Sequence, residues 1–411
     1  MFQKDRPTTT VSILTEEFYP VMAGVEVHIL TLAGKLREYG MGVRIVTRRL
    51  DARRPGRAMV SGHPVHRLPP RGGGALKKWL MILPVLCWLI RYRRQYDLIY
   101  APSFRTLGIP AVIAGRLLRK PAVLLEAVHG EMSGEIFDHG LRQLRLSPSF
   151  WPFRMALRLR NLVVRQADVF VANSSEVAAE YRQHGIRPGR IRRIPHGVDT
   201  NRFHPVSSPE RDQMRRRLGL DIAAPVVTYV GRLVSYKGLP MLLAVWERVL
   251  ADHGDACLVL VGSGAEGTAY DCERELREMV AERGMGEKVR FTGRVRHVEK
   301  YLQASDIFVF PSVRDTFAIA LVEAMSCALA VIVMPQGGPG EIVTAEHDGL
   351  VASDPDQFHG ALVRLLGDPS LALSLGRAAR RTVVERYSRD REAAAYLELF
   401  SGLVKAGEDS A

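Results

Sequence analysis

Short runs of apolar, often β-branched residues alternate with helical stretches twice along this 411-residue chain. The strand-like runs of the first half are TVSILTEEF, GVRIVT, YDLIYA, AVLLEAVHG and ADVFVANS. Those of the second half are PVVTYVGRL, ACLVLVGSG, VRFTGRV, DIFVFPS, AVIVMP and DGLVAS. Strands that alternate with helices predict a parallel sheet covered by helices on both faces. The pattern therefore predicts an α/β protein with two doubly wound, Rossmann-like domains.

A segment rich in turn-forming and polar residues separates the two halves at residues 193–213. We place an N-terminal domain at residues 1–200, a second domain at 201–385 and a C-terminal helix at 386–411 that crosses back to the N-terminal domain. Two such domains predict a cleft that both of them face. Ligands of open parallel sheets bind beyond the carboxyl ends of the strands, so functional residues are expected there.

The second domain places two cations after its first strand. The stretch GRLVSYKGL supplies a glycine for a tight turn, then Arg232 and Lys237, then Gly238 before a helix. Cations beside a helix N-terminus form a site for a diphosphate, although solvated surface cations produce the same pattern. In the first domain Gly24 precedes a helix, where backbone N–H groups can approach an anion. Neither loop matches the dinucleotide fingerprint or the P-loop, which disfavours hydride transfer and P-loop phosphoryl transfer.

Two carboxylates stand in the apolar stretch FPSVRDTFAIALVEAMSCALAVIV, where burial is costly unless they are paired. We expect a helix to begin near residues 317–319, with its free N–H groups facing the cleft. Asp315 lies in the preceding loop and Glu323 about one turn into the helix. A carboxylate binds vicinal hydroxyls through two hydrogen bonds, so we interpret the two acids as facing two sugars of one ligand. In the alternative, Asp315 caps the helix and Glu323 reaches solvent.

Five motifs carry a resemblance to a known family. They are FYPVMAGVEVHILTLAGKLREYGMGVRIVT, IPHGVDTNRF, GRLVSYKG, RDTFAIALVEAMSCALAVIV and GGPGEIV. In this order they resemble the retaining glycosyltransferases of family 4, which have the GT-B fold, over nearly the whole chain. Within that family, EEFYPVMAGVEVHI and FAIALVEAMSCAL are most similar to the branch that contains the N-acetylglucosaminyltransferases acting on phosphatidylinositol.

The resemblance implies a transferase that moves a hexosyl group from a UDP- or GDP-linked sugar to an acceptor hydroxyl of a lipid or glycan. It implies retention of the anomeric configuration and neither a metal nor a cofactor. Arg232 and Lys237 would hold the diphosphate. Glu323 would bind the ribose hydroxyls and Asp315 the donor hexose. The other implied contacts to the donor come from Gly24, His129, Phe317, Ala318 and Ile319. Of these, His129 would lie near the reacting carbon, although a lone histidine after a strand is more often structural.

The sequence departs from the family pattern at several of these motifs. Asp315 stands in place of Glu, His196 in place of Asn, and Ala23, Ala318 and Ala328 in place of Gly. The shorter Asp315 and the added methyl of Ala318 leave the choice of hexose open. Two alternative functions also stay open: a catalytically weak sugar-nucleotide binder, and a GT-B-fold epimerase that releases a changed nucleotide sugar without free diphosphate.

Positive charge is concentrated in the first half. The chain has a net charge of +13, and residues 51–165 hold 20 Lys and Arg against 6 Asp and Glu. This field suits an anionic membrane or a nucleic acid, or is a solvated basic face. We expect no nucleic-acid partner, because base-reading modules are absent from the sequence. The apolar run 79–90, flanked by basic residues within 77–94, fits either a helix on a membrane or a helix facing the core.

The four cysteines are scattered without a CxxC pair, which is typical of free thiols in a reducing compartment. We therefore predict no metal site and a cytoplasmic protein, with peripheral placement on the inner face of the membrane as the further expectation.

Overall fold

The computed structural model describes residues 9–20, 24–126, 130–135, 147, 150–265, 268 and 270–408. Contacts divide the chain into two units. Unit 1 comprises residues 1–195 with 392–411, and unit 2 comprises residues 196–391. The boundaries predicted from the sequence, after residues 200 and 385, lie a few residues away from these.

Unit 1 contains an eight-stranded sheet. Its strands are β1 (Thr10–Leu14), β2 (Gly42–Arg48), β3 (Arg57–Val60), β4 (His63–Leu68), β5 (Leu98–Ala101), β6 (Ala122–Leu125), β7 (Val169–Ala172) and β8 (Ile191–Arg193). Their order is β3-β4-β2-β1-β5-β6-β7-β8, and all neighbours are parallel except β3 and β4. The five strands predicted from the sequence are present. The strands β3, β4 and β8 were not predicted.

Unit 2 contains a six-stranded sheet whose neighbouring strands are all parallel. Its strands are β9 (Val226–Val230), β10 (Cys257–Val261), β11 (Val289–Gly293), β12 (Ile307–Phe310), β13 (Ala330–Val333) and β14 (Leu350–Val351). Their order, β11-β10-β9-β12-β13-β14, reverses beside β9 and so creates the switch point at which open sheets bind ligands. All six were predicted, because strands buried on both faces read as continuous apolar runs.

Helices connect most of the strands. Those of unit 1 are α1 (Gly24–Glu38), α2 (Ala75–Leu80), α3 (Ile82–Arg91), α4 (Gly108–Leu118), α5 (Trp151–Val164) and α6 (Ser175–Gln183). Those that follow are α7 (Ser208–Leu218), α8 (Leu239–Asp252), α9 (Glu273–Glu282), α10 (Val298–Gln303), α11 (Ile319–Ser326), α12 (Gly337–Ile342), α13 (Pro355–Gly367), α14 (Pro369–Arg386) and α15 (Arg389–Glu408). Two Rossmann-like α/β units are thus observed, as the sequence predicted.

The central sheet of unit 1 is buried on both faces. Along β5, Leu98 and Tyr100 join one apolar cluster and Ile99 and Ala101 the other, as the two-residue period of a strand requires. Helices α3 to α6 cover the face of Ile99, whereas α1 and α15 cover that of Tyr100. The hydroxyl groups of Tyr100 and Tyr396, on α15, lie 2.9 Å apart in the core.

The strands β3 and β4 form a hairpin that the sequence prediction missed. Ser61 and Gly62 have φ angles of 48° and 81°, the conformation of a two-residue turn that suits tight hairpins. The Ser-Gly pair was the available signal. It was weak because the flanking strand β3 is only four residues long and none of its side chains is buried.

The apolar run 79–90 forms the end of α2 and most of α3. Met81, Val85 and Leu89 are buried in unit 1, so the core-facing alternative is correct for this side of the run. Pro84 lies in the first turn of α3, where its missing N–H group removes no helical hydrogen bond. No helix within the described ranges is both long and apolar enough to cross a bilayer.

The loop between α11 and β13 holds an alanine in a left-handed conformation. Ala328 has a φ of 61°, and its carbonyl oxygen would lie 2.1 Å from a Cβ at Gly376 of α14. The left-handed region costs an L-residue about 1 kcal/mol. We expect Ala328→Gly to raise the free energy of unfolding by about 0.5–1 kcal/mol, less than the full cost because glycine gains entropy in the unfolded chain. Urea unfolding would measure the change.

A matched control for this prediction is Ala324→Gly, which replaces an alanine inside α11. Glycine in a helix interior costs about 1 kcal/mol relative to alanine, so this variant should be destabilised. Equal destabilisation by both variants would contradict the assignment of strain to Ala328.

Candidate functional site

The predicted site residues of unit 2 lie at the carboxyl ends of the adjacent strands β9 and β12. The loop after β9 runs from Gly231 to Gly238, and the loop after β12 leads into α11 at Ile319. Gly238 has a φ of 72°, and a Cβ there would lie 2.2 Å from the carbonyl oxygen of Pro311. Because only glycine fits that approach, the two loops meet directly at this edge of the sheet.

The loops are joined by an ion pair between Lys237 and Asp315. The ammonium group of Lys237 donates to both carboxylate oxygens of Asp315, at 2.6 and 2.5 Å. The two side chains are only 12% and 16% exposed, so the pair is largely screened from water. The ammonium also lies 5.4 Å from the ring centre of Phe310, within cation–π range. The structure thus places Asp315 against Lys237.

Arg232 lies at the exposed rim of the same loop. Its guanidinium donates to the hydroxyl of Tyr236 at 2.7 Å, and its carbonyl oxygen accepts from the buried Tyr229 hydroxyl at 3.0 Å. Burial raises the pKa of Tyr229 well above its ordinary value, so this hydroxyl remains a donor. The backbone of the loop is therefore anchored while the Arg232 side chain reaches solvent.

Glu323 is the fifth residue of α11, as predicted to within a turn. Burial raises the pKa of its carboxyl to about 7, while the positive charges of Arg202 and Arg389 limit the rise. Arg202 already donates to Glu299, and Arg389 to Asp199. Among the described residues, none donates a hydrogen bond to the carboxylate of Glu323. It is a half-buried acceptor pair that the described part of the chain leaves without a donor.

The first turn of α11 also presents unpaired donors. The helix begins at Ile319 without a side-chain cap, and the N–H groups of Ile319 and Ala320 find no acceptor in the described part of the chain. Ala318 is buried, and the ring of Phe317 contacts His196 edge-on with ring centres 5.3 Å apart. Such free N–H groups at a helix start attract anions and hydroxyl oxygens.

The loop before α11 is held in place by the glycine-rich helix α12. The N–H of Gly338 donates to the carbonyl oxygen of Asp315 at 2.8 Å. A Cβ at Gly338 would lie 2.4 Å from the carbonyl oxygen of Thr316, so a larger residue would displace the loop. The motif GGPGEIV therefore acts by fixing the position of Asp315.

The remaining predicted site residues lie in unit 1. Gly24 is the first residue of α1. His129 lies outside the described residues. In unit 2 the structure brings Lys237 and Asp315 into contact and places Arg232 in the same loop, whereas Glu323 contacts none of these three in the described structure.

Three residues that shape this site were not predicted from the sequence. Arg202 and Arg389 influence the charge of Glu323, and Tyr236 holds the side chain of Arg232. Arg202 lies within the quoted linker motif IPHGVDTNRF, which was the available signal. Arg389 is 66 residues beyond Glu323 in the numbering, and only the folded chain brings their charges together.

Two family models match the chain, one in each half. A model described as "Glycosyltransferase Family 4" matches residues 22–202, and one described as "Glycosyl transferases group 1" matches residues 224–368. The two matches meet near the linker and together cover most of both units. They agree with the resemblance that the motifs carry.

Two curated relatives match over part of their length. A D-inositol 3-phosphate glycosyltransferase of Geodermatophilus obscurus is 34% identical over 53% of this chain and 49% of its own. A GDP-mannose-dependent monoacylated alpha-(1-6)-phosphatidylinositol monomannoside mannosyltransferase of Corynebacterium glutamicum is 32% identical over 47% of this chain and 52% of its own. The matched part of the chain thus spans about half the length of each of these relatives.

Among solved structures, HepE (Alr3699) of Anabaena, in complex with UDP-glucose, is similar over nearly its whole length. The match covers 96% of this chain and 100% of HepE, with a TM-score of 0.75 and 20% sequence identity. At this identity the likeness shows the fold, which is GT-B.

Proposed function

We propose that the chain transfers a hexosyl group from a nucleotide diphosphate sugar to an acceptor hydroxyl, because a glycosyltransferase family model matches each of its two halves. The observation that carries the proposal is the convergence in unit 2 of the Lys237–Asp315 pair, the exposed Arg232 and the uncapped start of α11 at one edge of the sheet. The cations and free N–H groups can bind an anion, and the carboxylate can bind the hydroxyl groups of a polyol.

In this proposal the diphosphate of the donor binds to Arg232, Lys237 and the N–H groups of Ile319 and Ala320. As the bond to the sugar breaks, negative charge grows on the diphosphate, and preorganised donors stabilise that charge. Arg232 and Lys237 supply positive charge to the departing diphosphate from the protein itself, and we propose transfer without a metal. Asp315, which grips Lys237 through both oxygens, orients the ammonium for this task.

We assign the ribose of the donor to Glu323. Its carboxylate lacks a partner in the described structure and offers two acceptor oxygens at hydroxyl spacing. Phe317 and Ala318 line the adjoining start of α11, where the hexose would bind. From the resemblance, Gly24 and His129 of unit 1 would complete the site, and unit 1 would take the acceptor.

Transfer with retention breaks one bond to the anomeric carbon and forms another. The bond between the anomeric carbon and the phosphate oxygen breaks, and its electron pair stays on the diphosphate. The acceptor oxygen bonds to the anomeric carbon on the same face, and its hydroxyl proton passes to the departing phosphate oxygen. Lys237 and Arg232 offset part of the negative charge of the released diphosphate, and no protein group needs to accept the proton.

The names of the relatives guide the choice of substrates. One relative is named for GDP-mannose and a phosphatidylinositol monomannoside acceptor, another for inositol 3-phosphate, and the solved neighbour is bound to UDP-glucose. We include phosphatidylinositol and inositol phosphate as acceptors for this chain. UDP-N-acetylglucosamine is included as a donor because of the resemblance to the phosphatidylinositol branch.

The test is a screen for thermal stabilisation and diphosphate release, without added metal. The donors are UDP- and GDP-linked glucose, N-acetylglucosamine, galactose and mannose, each with and without the two acceptors. We expect stabilisation and acceptor-dependent release with one donor, both lost in Arg232→Ala/Glu323→Ala.

A changed nucleotide sugar without release of diphosphate would identify an epimerase, and stabilisation without release under all conditions would identify a binder. No stabilisation by any donor would refute the proposal.

Donor affinity should rise with pH because of Glu323. Its carboxyl has a pKa of about 7 before the donor binds, and the ionised form accepts hydroxyl hydrogen bonds better than the neutral acid. The dissociation constant of the intact nucleotide sugar should therefore fall as the pH rises from about 6 to about 8. Calorimetric titration at several pH values measures this. Glu323→Gln, which cannot ionise, should show weaker binding and a flat profile; a profile as steep as that of the unaltered protein would reject the assignment.

We further propose that unit 1 docks on an anionic membrane surface. Helices α2, α3, α4 and α5 contain no Asp or Glu, and α4 packs against both α3 and α5. Their exposed apolar side chains are Leu76, Trp79, Leu80, Leu83, Ile113, Leu117, Trp151, Met155, Leu159 and Leu162. Exposed apolar side chains among arginines suit a bilayer interface, where rings and alkyl groups enter and cations meet lipid phosphates. The predicted segment 77–94 forms one part of this surface.

A further inference from the structure

A short segment after β6 is held in place by side chains instead of by neighbouring strands. Glu180 of α6 accepts hydrogen bonds from the backbone N–H groups of Gly130 and Ser133, one on each carboxylate oxygen, at 3.1 and 3.0 Å. Glu180 is 3% exposed. A buried carboxylate that accepts two backbone N–H groups in this way forms strong, directional hydrogen bonds.

The carbonyl groups of the same segment are held from the opposite side by α5. The guanidinium of Arg160 donates to the carbonyl oxygen of Glu131 at 2.5 Å, and the amide of Asn161 donates to that of Met132 at 2.9 Å. Both side chains are buried. Residues 130–133 are thus clamped, with N–H groups bound to α6 and carbonyl groups bound to α5.

The segment is also tied to the end of β5. The carboxylate of Glu131 accepts from the hydroxyl of Ser103 at 3.0 Å and from the N–H of Phe104 at 3.1 Å. Since Glu180 is on the helix that follows β7, the network joins the carboxyl ends of three consecutive strands. This is the edge of a parallel sheet at which ligands bind.

A second buried acid, Glu126, supports Glu180. One oxygen of Glu126 accepts the N–H of Glu131 at 2.8 Å, while the other is buried beside the carboxyl of Glu180 and has no hydrogen-bond donor among the described residues. Burial, followed by the charges of Glu180 and Glu131, raises the pKa of Glu126 to about 10. A proton on its second oxygen turns repulsion between two carboxylates into a hydrogen bond to Glu180.

We propose that Glu180, supported by Glu126, is a positioning residue that fixes residues 130–133 at the carboxyl end of β6 and that glycosyl transfer depends on it. The inference rests on the proposed function, since residue 130 directly follows His129, the implied contact to the transferred sugar. Glu180 acts through the backbone and touches neither donor nor acceptor. It should therefore affect turnover more than donor binding, which is assigned to unit 2.

Two isosteric variants distinguish a positioning role of Glu180 from a general effect of removing a carboxyl group. In Glu126→Gln the amide oxygen still accepts from Glu131 and the amide N–H₂ still donates to Glu180, so we expect kcat within about 3-fold of the unaltered protein. In Glu180→Gln the amide N–H₂ faces either Gly130 or Ser133, and one hydrogen bond is lost. We expect kcat to fall about 10- to 100-fold with the KM for donor unchanged, as for a misplaced reacting group.

Amide hydrogen exchange provides a readout that does not require activity. Exchange at residues 130–133 should be at least about 10-fold faster in Glu180→Gln than in Glu126→Gln. Unchanged exchange in Glu180→Gln, or equal acceleration in both variants, would overturn the proposal.

If the unaltered protein shows no transfer, the proposed function fails while exchange still decides the positioning role. If Glu180→Gln does not fold, Asn161→Asp, which removes the donor to Met132, should show the same exchange and kcat pattern.

Discussion

Replacing Lys237 by alanine is expected to lower kcat for glycosyl transfer about 10²- to 10³-fold, the loss typical of one preorganised donor at a developing negative charge. The ammonium group is largely buried and held by both oxygens of Asp315, so it needs no reorganisation when the diphosphate departs. Its removal also leaves the Asp315 carboxylate unpaired beside the diphosphate. Steady-state assays with the donor found by the screen would measure kcat, and single-turnover assays would measure the rate constant of transfer apart from product release.

A double-mutant cycle sharpens this prediction. Because part of the loss comes from the unpaired carboxylate, Lys237→Ala/Asp315→Ala should be about 10-fold more active than Lys237→Ala alone. The matched control is Arg248→Ala, which breaks an exposed pair with Asp356 elsewhere in unit 2 and should leave kcat unchanged. A kcat for Lys237→Ala within about 3-fold of the unaltered protein would remove Lys237 from the mechanism.

The succession of strands along the chain and the start of α11 could be predicted, because both depend on local stretches of sequence. Apolar runs bounded by glycine, proline and polar residues mark the buried strands, and the helix was expected near residues 317–319 because these follow a strand and a loop. The hairpin of β3 and β4 escaped prediction because β3 is only four residues long and none of its side chains is buried, and because β4 mixes two histidines, a proline and an arginine with its apolar residues.

The partner of Asp315 could not be predicted, because Lys237 lies 78 residues away. From the sequence, the two residues were assigned to a hexose and a diphosphate, and nothing local indicates that they meet. Their contact depends on the pairing of β9 with β12 and on Gly238, which lets the two loops approach. Binding residues are thus visible as residue types at strand ends, whereas their mutual pairing is a property of the sheet order.

The arginines of residues 51–165 likewise fall into two classes, buried and exposed. Arg160 is buried and binds the backbone after β6, so it is structural. Arg154 and Arg158 lie on the same helix and are exposed. A count of charges cannot separate the two classes, because a step of two residues, about half a helical turn, moves a side chain from solvent to the core. Only the exposed class can contribute to a docking surface.

Replacing Trp151 and Leu159 by serine is expected to weaken binding to anionic vesicles about 100-fold. The two side chains are 73% and 57% exposed and lie eight residues apart, on one side of α5. Burying an apolar side chain of this size contributes about 1.5–3 kcal/mol, so loss of two at an interface that buries them partly costs about 3 kcal/mol. Neither residue contacts the core clusters of unit 1, so the fold should be retained.

Flotation with phosphatidylcholine vesicles, with and without phosphatidylglycerol, would measure the binding. The unaltered protein should float only with the anionic lipid, and less so as salt is raised beyond about 0.15 M, where charges are screened within about 8 Å. The matched control is Leu373→Ser, which removes an equally exposed leucine from α14 of unit 2 and should float like the unaltered protein. Equal flotation of the Trp151/Leu159 variant, or no flotation of the unaltered protein at low salt, would exclude this surface as a membrane site.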